Sequence, residues 1–567
     1  MITIKQKIKL FTKNKKYLLG IISLFLLSLI LTVLETIGIA SITSMVSILS
    51  GSENFIFEIF FDKNTKLNLK NILTIILVIF LFKTLFQLSY NYIQSKLLAL
   101  MNIEFTQNLF EKFINSSYEL NLFKNPSELI RKISSDVNIS ITYVFIILSM
   151  IREVLILFAI FFLLFFTKTN VVILIFFLFG LISILFYNIV KNKLTKLASG
   201  FLRSQTESIK IINQTFGSLK ENIILDLRSI LINKFSFRIK QVQKFEFFRS
   251  FIKSIPRVLF ELVAIIAIVM IANVFLFMNK NEDYILQALT LIGVCSIRLI
   301  PSFNGLTNSF ATIKSYKEIF NKFCIDIYFF EGLKNDKRFN KTKKYNFKKN
   351  IVLNNVSFKY PRTEKNIISN GNLIIKKGHT IGISGRSGSG KTTLIDIITG
   401  LLEKTSGQFM IDGKEIPHKI AFNKNEVGYV PQSPYLFDDT IENNILFGRS
   451  VKDKKKIIKQ SIKLSQIEKF ISQLPKGLQT YVGNNGARLS GGQKQRIVIA
   501  RALLFKPELI IFDEATSSLD TKTENELIKE IYKLKKITTV IIISHKKEII
   551  DQCDYKYIIK DNKIYKG

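Results

Sequence analysis

The chain has 567 residues, 48% of them hydrophobic, and a formal net charge of +37. A soluble chain of this length would divide into several domains, yet here the apolar residues gather before residue 310, in stretches of roughly 20 or more, the length that crosses a ~30 Å hydrocarbon core. The lysines lie beside those stretches and in the loops between them, so the charge reads as membrane flanks and not as a nucleic-acid surface. A composition rich in Lys, Asn, Ile and Phe, with no Trp, also fits a biased genome.

The N-terminal apolar run follows six lysines and no acidic residue. It is too long for a signal-peptide core and lacks a small-residue cleavage site, so it is read as a retained first helix with no extra domain before Leu18. Six spans are expected, at about Leu18–Leu49, Ile72–Ile93, Tyr143–Phe166, Val171–Val190, Val258–Met278 and Ile285–Asn304. The positive-inside bias places the N-terminus in the cytoplasm, and an even number of spans returns the C-terminal half to the same side. Spans three and four, and five and six, are joined by short connections (167–170 and 279–284). The other two connections are long and cytoplasmic. Apolar residues recur in them at helical spacing, as in Phe105, Leu109, Phe110 and Phe113, which predicts helices running beyond the bilayer. Their tips, near Tyr118–Leu129 and Phe216–Leu225, would then reach a cytoplasmic domain; separately folded loops are the alternative.

A Lys-rich stretch, 335–350, separates an expected membrane domain (1–334) from a C-terminal domain (351–567). After it, short apolar runs (Thr380–Ser384, Leu509–Phe512, Thr539–Ile543) alternate with helical segments, the pattern of an α/β domain with a mostly parallel sheet. Cys295, Cys324 and Cys553 match neither a metal site nor a disulfide framework.

The chemistry begins at Gly385–Thr392, GRSGSGKT. Between a strand and a helix, Gly385, Gly388 and Gly390 let backbone amides turn around phosphate oxygens. Lys391 supplies charge to the β- and γ-phosphates of ATP, and Thr392 offers its hydroxyl to Mg²⁺. The run ELIIFDE (Glu508–Glu514) makes a strand ending in two carboxylates. Asp513 would hold Mg²⁺ through water, and Glu514 would polarise the attacking water as general base. His545 follows the strand 539–544 and would contact the γ-phosphate. Gln432, in YVPQSP, fits a residue that senses the nucleotide and Mg²⁺ and contacts the membrane part. Tyr360, in VSFKYP, could stack on adenine, although an isolated aromatic there could also be core.

The later run LSGGQ (Leu489–Gln493) completes a set that resembles ATP-binding cassette (ABC) half-transporters of the exporter type. The resemblance covers the whole chain. It implies an α-helical six-span transmembrane domain, followed by an α/β P-loop ATPase domain with a helical signature subdomain. It further implies that Ser490, Gly491, Gly492 and Gln493 close over ATP bound to the phosphate loop of a second copy, where Ser387 and Thr393 join the nucleotide contacts. Asp520, in SSLD, matches the loop that crosses between the two copies. A homodimer with two competent sites follows. One departure is TYVGNNG before the signature, where Asn484 stands in place of a frequent Glu; this concerns the contact with the membrane part.

The membrane half is similar to flippases of lipid-linked oligosaccharides in bacterial protein glycosylation, through LETIGIA (Leu34–Ala40), IPRVLFE (Ile255–Glu261) and RLIPS (Arg298–Ser302). This resemblance implies a multi-pass protein of the bacterial inner membrane. Lys83, Arg257 and Arg298 are the cations that would meet an anionic headgroup in a cavity. Lys83 and Arg257 could instead snorkel at helix ends, and Glu35, Arg152 and Glu261 could form ion pairs between helices. The function expected is an ATP-driven exporter or flippase of a lipid-linked or amphipathic substrate. The alternatives are an ATP-gated channel or channel regulator on the same scaffold, or a peptide or drug exporter.

Overall fold

The computed structural model describes residues 3–49, 69–122, 124–166, 170–278, 282–335, 344–345, 347–361, 363–416, 421–422, 426–515 and 521–567. The chain divides into two compact units. One comprises Met1–Ser116 and Phe123–Gly332; the other comprises Ser117–Leu122 and Leu333–Gly567.

The first unit is helical. Helix α1 (Ile4–Thr12) opens with a reciprocal cap between Thr3 and Gln6. It is followed by α2 (Lys15–Leu49) and α3 (Leu69–Ile114). After α4 (Tyr118–Leu122), which belongs to the other unit, come α5 (Pro126–Arg131), α6 (Val137–Phe166) and α7 (Asn170–Gly217). The unit ends with α8 (Leu219–Ile224), α9 (Arg228–Phe277) and α10 (Glu282–Asn335). Its core is built where the apolar faces meet, around Ile39, Ile156, Ile160, Phe179, Phe260 and Phe303.

Among the described residues, five helical segments are long and apolar enough to cross a membrane: Lys15–Ile42, Leu73–Ile114, Pro126–Leu163, Phe176–Gly217 and Arg228–Phe277. The sixth expected span falls inside α10, and several side chains there lie outside the description, so the count of six rests on sequence. Segments of 42 and 50 residues at 1.5 Å per residue reach about 63–75 Å, roughly twice a hydrocarbon core. The long connections are therefore helical continuations, as the periodicity predicted, and not separately folded loops.

The second unit carries two main sheets. The strands are β1 (Lys344–Tyr345), β2 (Asn350–Phe358), β3 (Ile368–Lys376), β4 (Thr380–Gly385), β5 (Ser406–Ile411), β6 (Lys414–Glu415), β7 (Ala421–Phe422), β8 (Val427–Val430), β9 (Leu509–Asp513), β10 (Thr539–Ile543), β11 (Tyr555–Lys560) and β12 (Lys563–Lys566). The larger sheet has the order β12-β11-β4-β10-β9-β8. It is parallel except for β12, which pairs antiparallel with β11. Strands β9 and β10 are buried along their whole length, which is why they read as unbroken apolar runs and not as alternating ones. An antiparallel sheet of order β3-β2-β5-β6 was not anticipated. Its β5–β6 hairpin turns through Asp412 and Gly413, both at positive φ (50° and 77°), the backbone a two-residue hairpin turn needs. The helical segment of the chain between β8 and β9 contains α12 (Ile441–Leu446), α13 (Lys454–Leu464), α14 (Glu468–Ser472) and α15 (Gly491–Leu503).

Candidate ATP site and membrane charge cluster

Strand β4 feeds the phosphate loop, and the loop feeds helix α11 (Lys391–Ile398). Two glycines make that path possible. A Cβ on Gly385 would stand 2.6 Å from the Ile559 carbonyl oxygen. Gly390 has φ 101° and presses against Ile367, a backbone that L side chains rarely adopt. No side chain caps α11, so the first-turn amides that a cap would satisfy point into the loop, the arrangement that receives phosphate. Ser387, Gly388 and Thr392 lie on the exposed side of this loop.

Four sequence-predicted groups converge here. Lys391, whose side chain is buried, donates to the carbonyls of Gly385 (3.0 Å) and Arg386 (3.1 Å). Its Nζ is 3.2 Å from His545 Nε2 and 3.6 Å from Glu514 Oε1. His545 Nε2 is 2.6 Å from Glu514 Oε1, and Gln432 Nε2 donates to Glu514 Oε2 at 2.7 Å. Glu514 stands just past the end of β9 at φ 47°, an uncommon conformation for a non-glycine residue that functional sites often hold. Its amide donates to Ile543 at the end of β10. The two central strands thus end side by side and present Asp513, Glu514 and His545 to the phosphate loop.

Asp513 is buried and accepts from the Tyr429 hydroxyl at 3.0 Å. Burial pushes its carboxyl above the ordinary range, with Glu514 adding in the same direction, against the Tyr429 hydrogen bond and Lys391. Asp396, on α11, is pushed up to about 6 by burial and then by Asp513. Neither Asp396 nor Tyr429 was singled out from sequence; Tyr429 stood in view beside Gln432 in YVPQSP. Among the described residues no group of three or more His, Cys, Asp or Glu could hold a metal ion. A divalent ion here would therefore draw on Asp513, the Thr392 hydroxyl, phosphate oxygens and water, a donor set that suits Mg²⁺.

Tyr360 donates to, or accepts from, Thr393 Oγ1 at 3.1 Å and packs edge-on against Phe358 with 5.0 Å between ring centroids. It is half-buried at the flank of the phosphate loop. Asp520 lies outside the described residues.

The signature residues stand apart from this group. Ser490 caps α15: its Oγ accepts from the Gln493 amide, and Gln493 Oε1 accepts from the Ser490 amide at 2.9 Å. Ser490, Gly491, Gly492 and Gln493 line a cleft of about 1020 Å³ with Arg496, Lys469 and Glu526 among others, and none of Lys391, Asp513, Glu514 or His545 lines it.

In the helical unit the three predicted cations have acidic neighbours. Arg298 Nε is 2.5 Å from Glu35 Oε2, and Lys83 Nζ is 3.9 Å from Glu35 Oε1. Glu35 is buried, so α2 supplies one acid to cations of α3 and α10. Arg152 pairs with its neighbour Glu153 at 2.8 Å and lies over the Tyr90 ring. Arg257 pairs with Glu261 one turn on, at 2.9 Å, and both are exposed. They line a cleft of about 350 Å³ with Ser296, Pro301 and Asn304. Of the acids named from sequence, only Glu35 bridges between helices.

Residues 368–517 match the family model described as ABC transporter. The match lies within the second unit and leaves the helical unit uncovered. Over 346 residues the chain is 32% identical to an ATP-dependent lipid A-core flippase of Blochmanniella floridana, covering 61% of this chain and 59% of that protein. It is 38% identical over 212 residues to the protein of the same description from Salmonella typhimurium, covering 37% and 36%. The chain spans between about half and three fifths of the length of the first curated relatives it matches. A solved structure described as a bacterial Atm1-family ABC exporter with ATP bound superposes with a TM-score of 0.76, at 18% identity, over 96% of this chain and 95% of that one. That likeness establishes the fold.

Proposed function

We propose that the chain hydrolyses ATP to drive a lipid-linked or amphipathic substrate across a bacterial inner membrane, and that two copies share two ATP sites. The observation that carries this reading is the separation within one chain: Lys391, Glu514 and His545 are in mutual contact, while Ser490–Gln493 face a different cleft. The N-terminus of α15 lines a cleft that excludes Lys391, Glu514 and His545, which suits it to a phosphate presented by a second copy.

The roles follow from the geometry. Lys391 leaves the Gly385 and Arg386 carbonyls for the phosphates of ATP. Glu514 holds one oxygen against Gln432 and the other against His545, which fixes the carboxylate for a water beyond the γ-phosphate. His545 stays at the strand end to contact the γ-phosphate as Glu514 turns to the water. Mg²⁺, held by Thr392 and, through water, by Asp513, would neutralise charge developing on the phosphates. Tyr360 keeps the flank of the loop and offers its ring face to stack on adenine.

For the substrate, Lys83 and Arg298 stand around Glu35, with the Arg152–Glu153 pair within electrostatic reach of it, so that three cations face two acids. The surplus charge suits an anionic headgroup such as a pyrophosphate, as in lipid-linked oligosaccharides; Arg257 is a second candidate contact. The test is ATP-dependent flipping of a fluorescent polyprenyl-pyrophosphate glycan in proteoliposomes, with a phospholipid as comparison. Arg298→Ala is expected to abolish substrate-stimulated ATPase and leave basal ATPase, with partial rescue by Lys. Flipping by Arg298→Ala at the wild-type rate removes the headgroup role.

A further inference from the structure

We propose that Tyr429 is a positioning residue for the Mg²⁺-holding carboxylate of Asp513. This rests on the reading of Asp513 as the metal-holding acid.

Strand register brings these two residues together. Tyr429 on β8 pairs with Ile511 on β9, and Asp513 is two residues further along the same face, a diagonal that an aromatic side chain can span. The Tyr429 hydroxyl meets Asp513 Oδ2 at 3.0 Å. Burial, then the charge of Asp513, push that hydroxyl well above its usual pKa, so it stays a donor. Asp513 is buried, and a buried carboxylate oxygen without a donor is costly. The bond therefore holds one oxygen, fixes the plane of the carboxylate and leaves the other oxygen for the metal's water. Partners of this kind commonly change metal affinity by 10–100-fold when removed.

The test uses the full-length protein in nanodiscs with ADP, and Mn²⁺ as the probe, its affinity read by electron paramagnetic resonance. Tyr429→Phe is expected to weaken Mn²⁺ by about 10–100-fold and to leave ADP affinity in EDTA unchanged, which a general folding defect would not do. Mn²⁺ affinity within twofold of wild type in Tyr429→Phe overturns the proposal, provided Asp513→Asn does weaken it; an Asp513→Asn chain with wild-type affinity instead overturns the reading of Asp513.

Discussion

Arg298 and Glu35 meet at 2.5 Å across two helices of the membrane half, and Lys83 approaches the same carboxylate from a third. One buried acid therefore ties α2, α3 and α10. Removing it leaves two cations uncompensated, whereas exchanging an acid and a cation together does not. Glu35→Ala is expected to destabilise the protein in detergent by about 3–5 kcal/mol, and Glu35→Ala combined with Arg298→Met to recover part of that. Thermal unfolding followed by tryptophan-free probes, such as intrinsic Tyr fluorescence or a thiol dye, measures it. A double variant less stable than Glu35→Ala alone would show that the pair is not what holds the helices.

Glu514→Gln keeps the shape of the residue and its contact with Gln432 but removes the base. Bound ATP should be retained and hydrolysis should fall by roughly 10²–10⁴-fold. Equilibrium binding of labelled ATP and single-turnover hydrolysis, measured on one preparation, separate the two effects. Turnover near that of wild type would take Glu514 out of the role.

Asp412 binds the amides of Lys348 (2.7 Å), Lys349 (2.6 Å) and Asn350 (2.9 Å) and so ties the β5–β6 turn to the start of β2. Burial would raise its pKa, but those three donors outweigh it and hold the carboxyl below its usual value. A depressed carboxyl stabilises the fold above the unfolded-state value of ~3.9 and loses that contribution as pH falls through the lower, folded value. Melting of the ATPase domain should therefore turn down more steeply below about pH 4 in wild type than in Asp412→Asn. Parallel acid-unfolding curves would show that the turn contributes nothing.

Much of the ATPase domain was legible because its chemistry is local. The phosphate loop, the strand before it and the helix after it are one continuous run, and the apolar runs at 509–512 and 539–543 became the buried parallel strands β9 and β10. The antiparallel sheet was missed for a physical reason: β2 does not alternate cleanly. Its register shifts between Leu353 and Val356 and again towards Phe358, which puts Asn354 and Asn355 in mid-strand and breaks the period of two. The Asp412–Gly413 turn was the signal available. Cations and acids in the membrane half were both named from sequence, but which would pair with which was not. Glu35 is far from Arg298 in sequence, and only the packing of α2 against α10 brings them together, whereas Glu261 takes the nearer Arg257. The helical tip at Tyr118 was expected to reach a cytoplasmic domain, and Ser117–Leu122 does group with the ATPase unit. Residues 216–225 stay with the helical unit.

The sharing of each ATP site between two copies is tested most directly in mixed dimers of a Lys391→Ala chain and a Ser490→Arg chain, each inactive alone. One composite site then carries both changes and the other is intact, so the ATPase rate per dimer should return to a substantial fraction of wild type. Dimers of Lys391→Ala with wild type, measured alongside, establish that one intact site suffices. Should those control dimers hydrolyse ATP while the verified mixed-variant dimers stay silent, the phosphate loop and the signature of one chain would have to serve the same site, and the account would be contradicted.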